Sequence, residues 1–155
     1  MVAVIKTWCL MRCVSIAGVP PAPTLVAEAT RRSGVVWVSS PTVAPTLVWH
    51  LWHYDAAYVV CGGSEQSLPA LGSAATVTVR SKAGPRVVDW AAAVSRVEPG
   101  TALWDAVTPL LAAARLNAPD AAGLVARWAT SSTVLRLAPQ SLRANPQPAP
   151  QAQLG

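Results

Sequence analysis

His50 and His53, Ser64 in a glycine-rich stretch, and the cations Arg80, Lys82 and Arg86 are the side chains whose types and spacing bear on chemistry in this chain. Histidines three apart in a strand point to opposite faces, so these two cannot share a metal ion without a bulge. No Asp/Glu cluster nearby completes a ligand set, and each histidine is read as a polar group at a barrel mouth or an interface. Ser64 lies in Gly62-Gly63-Ser64-Glu65-Gln66, which superficially has the look of a nucleophile elbow. The strict G-x-S-x-G pattern is absent, however, and so is the strand-to-helix setting of an α/β sheet. A glycine turn of this kind instead frees backbone amides that can cradle an anion. Arg80, Lys82 and Arg86 form the densest positive cluster. They mark either an exposed hairpin tip or a clamp on a phosphate or carboxylate, for which arginine offers a bidentate fork. The 7 acidic residues sit mostly at turns and helix starts, and no pair of them has the arrangement of a hydrolase.

Composition narrows the class. The chain has 155 residues, which makes one domain large enough to bury a core. Charged residues are only 12% of it, about half of the ~25% usual for a soluble domain. That poverty of charge reflects either an alanine-rich composition or a large apolar interface, most simply a homodimer. The net charge of +5 comes from scattered arginines without a basic run or an aromatic–basic alternation, which speaks against nucleic acid and is compatible with a small anionic ligand. Cys9, Cys13 and Cys61 are too few for a disulfide framework, and Cys9-x-x-x-Cys13 lacks the second pair of a zinc site. A reducing cytoplasm suits all three. Residues 33–54 carry no formal charge, but their prolines, serines and histidines disqualify a membrane helix.

The elements that must position these groups are read as follows. Residues 1–23 are a disordered or misassigned extension, with Lys6 and Arg12 interrupting any signal-peptide core and a start nearer Met11 in keeping with it. Thr24 caps a short helix over 25–32. Strands are expected over 35–39, 46–54, 57–61, 75–81, 86–97 and 133–137, the second and third joined by a turn at Asp55. Residues 67–71 form one helical turn. In the long strand 86–97, Val88, Trp90, Ala92 and Val94 share the buried face. Thr101 caps a helix whose apolar face is Leu103, Val107, Leu110, Leu111 and Ala114. Pro109 either kinks that helix or begins another, and Pro119 opens a further helix carrying Leu124, Val125 and Trp128. The domain spans 24–138, and residues 139–155 are a disordered Pro/Gln-rich tail.

This order of helix, strand, hairpin, short helix, hairpin, helical excursion and last strand resembles the FMN-binding split β-barrel of the pyridoxamine 5′-phosphate oxidase-like superfamily. The resemblance covers about residues 24–138 and is carried by strand 35–39, hairpin 46–61, the Ser67-Leu68-Pro69-Ala70-Leu71 stretch, the TVTVRSK segment, the VVDWAAAVSRVEPGTALWDAV segment and strand 133–137. It implies a mainly β protein with flanking helices (α+β), a six-stranded split barrel, homodimeric and cytoplasmic, without nucleic-acid or membrane partners. It further implies FMN, or a deazaflavin, in a groove between subunits, and a flavin-dependent oxidoreductase-like activity on an unknown substrate. The alternative is a non-enzymatic module that holds another small ligand on the same barrel.

Carried over by position, the flavin ring would lie along the backbone of Leu47, Val48, Trp49 and His50. Trp49, Trp52 or His50 would stack on its substrate side. The phosphate turn would be Gly63 to Ser67, with Ser64, Gln66 and Ser67 as donors, and Arg80 and Lys82 would add charge from the next strand. Glu65 departs from the pattern, standing where the resemblance calls for a cation.

Overall fold

The computed structural model describes residues 22–115 and 121–140. The expected extension over 1–23, all but its last two residues, lies outside these, as do the start expected at Pro119 and the tail beyond Gln140.

Proline rather than Thr24 opens helix α1 (Pro23–Arg32): Pro23 takes the first position, where its missing N–H costs no hydrogen bond. Strands β1 (Val35–Ser40), β2 (Val43–Trp49), β3 (Leu51–His53), β4 (Ala56–Cys61), β5 (Ala74–Arg80) and β6 (Arg86–Val97) follow, then helices α2 (Ala102–Ala114) and α3 (Ala121–Ser131), and finally β7 (Thr133–Pro139). All seven strands join one antiparallel sheet in the order β2-β1-β5-β6-β7-β4-β3. The two strands at the ends of that order are neighbours in the chain, separated only by His50. The sheet therefore curls until its ends meet at one residue, which makes it a barrel with a split.

The expectation of six strands is corrected to seven by this geometry. The segment read as one strand over 46–54 is two strands. β2 pairs with β1 as far as Val35↔Trp49, whereas β3 pairs with β4 from Leu51↔Tyr58. Serving two partners on opposite sides of the curl requires a corner, and His50 is that corner.

Two cores lie on the two sides of β4, which is buried at every position. Ala57 and Val59 face the barrel interior with Val36, Val38, Val48, Val77, Val88, Trp90 and Leu137. Ala56, Tyr58 and Val60 face a second cluster, built with Trp104, Val107 and Leu111 of α2 and Leu124 and Trp128 of α3. An uninterrupted apolar run such as AAYVVC is what a doubly covered strand requires. In β6 the buried residues Val88, Trp90 and Ala92 alternate with less buried ones, as the pattern predicts.

Two local expectations change and a third is decided. Residues 67–71 form no helical turn; they are irregular, with Leu71 buried and Leu68 packed on the barrel core. Of the two readings of Pro109 the new helix is excluded: α2 runs on through Pro109, and Thr108 donates its hydroxyl to the Trp104 carbonyl at 2.7 Å. The buried face of α2 is Trp104, Val107, Thr108 and Leu111, while Leu103 and Leu110 are exposed. Thr101 caps it as expected, accepting from the Trp104 amide at 3.2 Å. Among the described residues, no helix is long and apolar enough to cross a membrane.

Candidate functional site

A cavity of about 740 Å³ is formed by a groove on the outer side of the sheet. One wall is α1, through Leu25, Glu28, Ala29 and Arg32; the floor is Val35 and Trp37 of β1 with Leu47 of β2; the other wall is the β5–β6 hairpin, from Val79 to Val87. Leu25, Val35, Leu47 and Val87 are each 44% to 48% exposed, so the groove gathers four of the large apolar side chains that the fold leaves uncovered. Its size lies within the ~300–1,000 Å³ typical of small-molecule sites.

The charge of the groove is asymmetric. On the α1 side, Glu28 pairs with Arg31 at 3.2 Å and with Arg32 at 3.5 Å. On the hairpin side, the Arg80 guanidinium lies 5.6 Å from the centre of the Trp37 ring. Among the described residues neither Arg80 nor Lys82 makes an ion pair, whereas Arg86 is held by Asp89 at 2.8 Å. The hairpin tip closes tightly: Ser81 donates its amide to the Pro85 carbonyl and Gly84 to that of Ser81, with Gly84 at φ 106°. That closure holds Lys82 at the rim.

The 62–67 turn is built differently. Glu65 points inward with its side chain only 1% exposed. Arg115 Nε donates to one carboxylate oxygen at 2.8 Å and Trp128 Nε1 donates to the other at 3.0 Å. The Gln66 side chain spans the split of the barrel. Its oxygen accepts from the Trp49 amide at 2.8 Å, and its nitrogen donates to the carbonyls of Trp49 at 2.9 Å and Val60 at 3.1 Å. One side-chain amide thus substitutes for the ladder that β2 and β4 do not make. Gly62 and Gly63 both take positive φ, and a Cβ on Gly63 would meet the Ser131 carbonyl at 2.7 Å.

His50 is turned away from solvent. A carbonyl can only accept, so His50 Nε2 donates to the Thr30 oxygen at 2.9 Å, and Nδ1 is buried without a partner among the described residues. Trp90 Nε1 donates to the Thr30 hydroxyl at 3.1 Å, so the carbonyl and the hydroxyl of Thr30 both fasten α1 to the barrel. Burial pushes the His50 pKa below 6.5, with the Thr30 hydrogen bond opposing that shift. The unfolded chain therefore takes up a proton near pH 6.5 while the native ring stays neutral. Stability is expected to be full above that value and to fall as pH drops below it, until the native pKa is reached. Urea midpoints from pH 7.5 to 5 should show the slope, and His50→Gln should flatten it.

The structure divides the nine residues singled out from the sequence. Leu47, Arg80 and Lys82 line the groove. Trp49 and Gln66 bind each other, with the Trp49 ring against the helix-side core. Val48 lies in the barrel interior and His50 under α1. Ser64 and Ser67 are exposed on the turn and do not line the groove. Trp37, Val35 and Leu25 complete the groove and were not singled out; for Trp37 the available signal was an aromatic beside valines on a strand that leads from the first helix. Trp52, a second stacking candidate, packs edge-on to Trp90 at 6.1 Å. Among the described residues, no three His, Cys, Asp or Glu side chains gather to hold a metal ion.

No family model matches the chain, and no curated protein matches it. Among solved structures it is similar to HutZ, described as a heme storage protein, from Vibrio cholerae, with a TM-score of 0.50 and 11% identity over 79% of this chain and 92% of that one. It is also similar to a candidate pyridoxamine 5′-phosphate oxidase from Listeria innocua, with a TM-score of 0.52 and 12% identity over 77% of this chain and 94% of that one. At these identities the likeness concerns the fold alone. The chain has the split-barrel fold of pyridoxamine 5′-phosphate oxidase-like proteins.

Proposed function

We propose that the chain is a small-ligand-binding split barrel whose groove takes a planar anionic ligand of the flavin mononucleotide type, or its deazaflavin analogue. The carrying observation is the groove of about 740 Å³ with an apolar floor at Val35, Trp37 and Leu47 and, on one wall, two cations that make no ion pair among the described residues. A flavin has an aromatic face for such a floor and a phosphate for such a wall. Haem, which one structural neighbour is described as storing, takes an axial protein ligand such as His, Cys, Met or Tyr. The described lining has none of these, which favours flavin.

When bound, a flavin supplies hydride or single-electron chemistry. The chain's own part is to bind and orient: Leu47 and Val35 exclude water from the ring, and Arg80 and Lys82 hold the negative end. Glu28, the one carboxylate in the described lining, is tied to two arginines, so among the described lining residues no side chain is poised for proton transfer. That observation favours a second reading, a binding module without turnover of its own. The open side of the groove, with its half-exposed Leu25, Val35, Leu47 and Val87, is what a second copy would cover in a homodimer. The single described cysteine, Cys61, is buried with its thiol pKa pushed up by burial, in keeping with a reducing cytoplasmic setting.

Titration of the purified full chain with FMN, a deazaflavin mononucleotide and hemin tests the assignment. Saturable quenching of flavin fluorescence that disappears in Leu47→Asp supports it. Saturable hemin binding without flavin binding refutes it.

A further inference from the structure

We infer that in this chain the phosphate end of the ligand is gripped by the β5–β6 hairpin tip, through Arg80 and Lys82, while the 62–67 turn serves as an internal latch and takes no anion. This rests on the ligand groove proposed above. The two large polar side chains of the turn, Glu65 and Gln66, are committed. Both Glu65 oxygens are occupied by Arg115 and Trp128, and the Gln66 amide is occupied by Trp49 and Val60. The Gly62 amide donates to the Gln66 carbonyl at 3.0 Å, and the Glu65 amide to that of Gly62 at 3.1 Å.

Nor can the turn open outward to receive a ligand without breaking into the fold. Ser132 donates its hydroxyl to the Gly62 carbonyl at 3.0 Å, and the backbone of Ser131 stands where a Gly63 side chain would be. An anion placed here would displace the buried Glu65 carboxylate from Arg115, its one cation among the described residues.

The hairpin tip has the opposite character. Its register sets Arg80 directly across from Arg86, at a bulge next to Val79. Like charges paired across a sheet destabilise it, and the two guanidiniums part company: Arg86 swings to Asp89 and Arg80 leans on the Trp37 ring. An anion held by Arg80 and Lys82 removes the remaining repulsion and faces an arginine whose fork is already oriented. Trp37 is the positioning residue of that clamp. The site reads a terminal phosphate, an anion that two adjacent cations match better than a neutral sugar end.

The test uses the full chain labelled with ¹⁵N and two kinds of probe. Inorganic phosphate is expected to move the Arg80 Nε–H and Trp37 indole resonances and to leave the backbone amides of residues 64–67 in place. FMN and riboflavin differ by the phosphate alone. Arg80→Gln with Lys82→Gln should weaken FMN binding at least about tenfold, the lower bound for losing a charge-assisted hydrogen bond, and leave riboflavin binding unchanged. Ser64→Ala with Ser67→Ala should leave both unchanged. Phosphate shifts centred on residues 64–67, no phosphate response at Arg80, or equal losses for FMN and riboflavin in the Arg80/Lys82 variant would each overturn the inference. Phosphate at Arg80 with no flavin binding of any kind supports the anion clamp while refuting the flavin assignment.

Discussion

Glu65→Ala is expected to destabilise the fold by about 3–5 kcal/mol, the range for removing one partner of a buried ion pair. The carboxylate is almost wholly enclosed and accepts from two side chains that are themselves largely covered. Alanine would leave the Arg115 guanidinium without its counter-charge and the Trp128 indole N–H without an acceptor. Trp128 is 1% exposed and lies at the centre of the helix-side core, so water does not reach it as a substitute. Glu65→Gln retains the shape and an acceptor for Trp128 and loses only the charge, so it should fall between alanine and wild type. Denaturant midpoints of the two variants decide the matter. A loss under about 1 kcal/mol for alanine would mean that Glu65 is a surface ion pair of ordinary worth.

Trp90→Ala should be as damaging, again by about 3–5 kcal/mol. Trp90 is 3% exposed in the barrel interior, meets Trp52 edge to face with an interplanar angle of 89°, and bonds the Thr30 hydroxyl. Its loss opens a cavity and detaches α1 at one of its two polar attachments. Trp90→Phe keeps most of the volume and the edge contact and gives up the hydrogen bond, so a loss nearer 1 kcal/mol is expected. Calorimetry or urea unfolding of both variants measures the difference. An effect below about 0.5 kcal/mol for alanine would place Trp90 on the surface.

What the residues disclosed in advance follows the range of the interactions involved. The alternation of Val88, Trp90 and Ala92 is a property of one strand, and it was legible. The apolar run at β4 announced a strand, though not its two coverings. The corner at His50 was not legible, because nothing within residues 46–54 differs from a continuous strand; the break arises from serving β1 and β4 in turn. α2 was read one residue out of phase, since Leu103 and Leu110 outweighed Trp104, which with Val107, Thr108 and Leu111 keeps the same helical spacing. At the candidate site, Arg80 and Lys82 could be picked out as a positive cluster beside a hairpin, whereas Leu47 was reached only through the resemblance. Glu65 was conspicuous as a misplaced charge, yet its partners lie 50 and 63 residues away. Contacts at that separation leave no local trace.

The corner that joins β2 to β3 also governs how copies of the chain can meet. A sheet that ends in two long, bare strands invites edge-to-edge polymerisation. Here one terminal strand is three residues long, the other carries Pro45, which has no amide to offer, and Gln66 fills the bonding positions of Trp49. Among the described residues the two edges thus offer only short, interrupted backbone rails, which disfavours edge-to-edge pairing between copies.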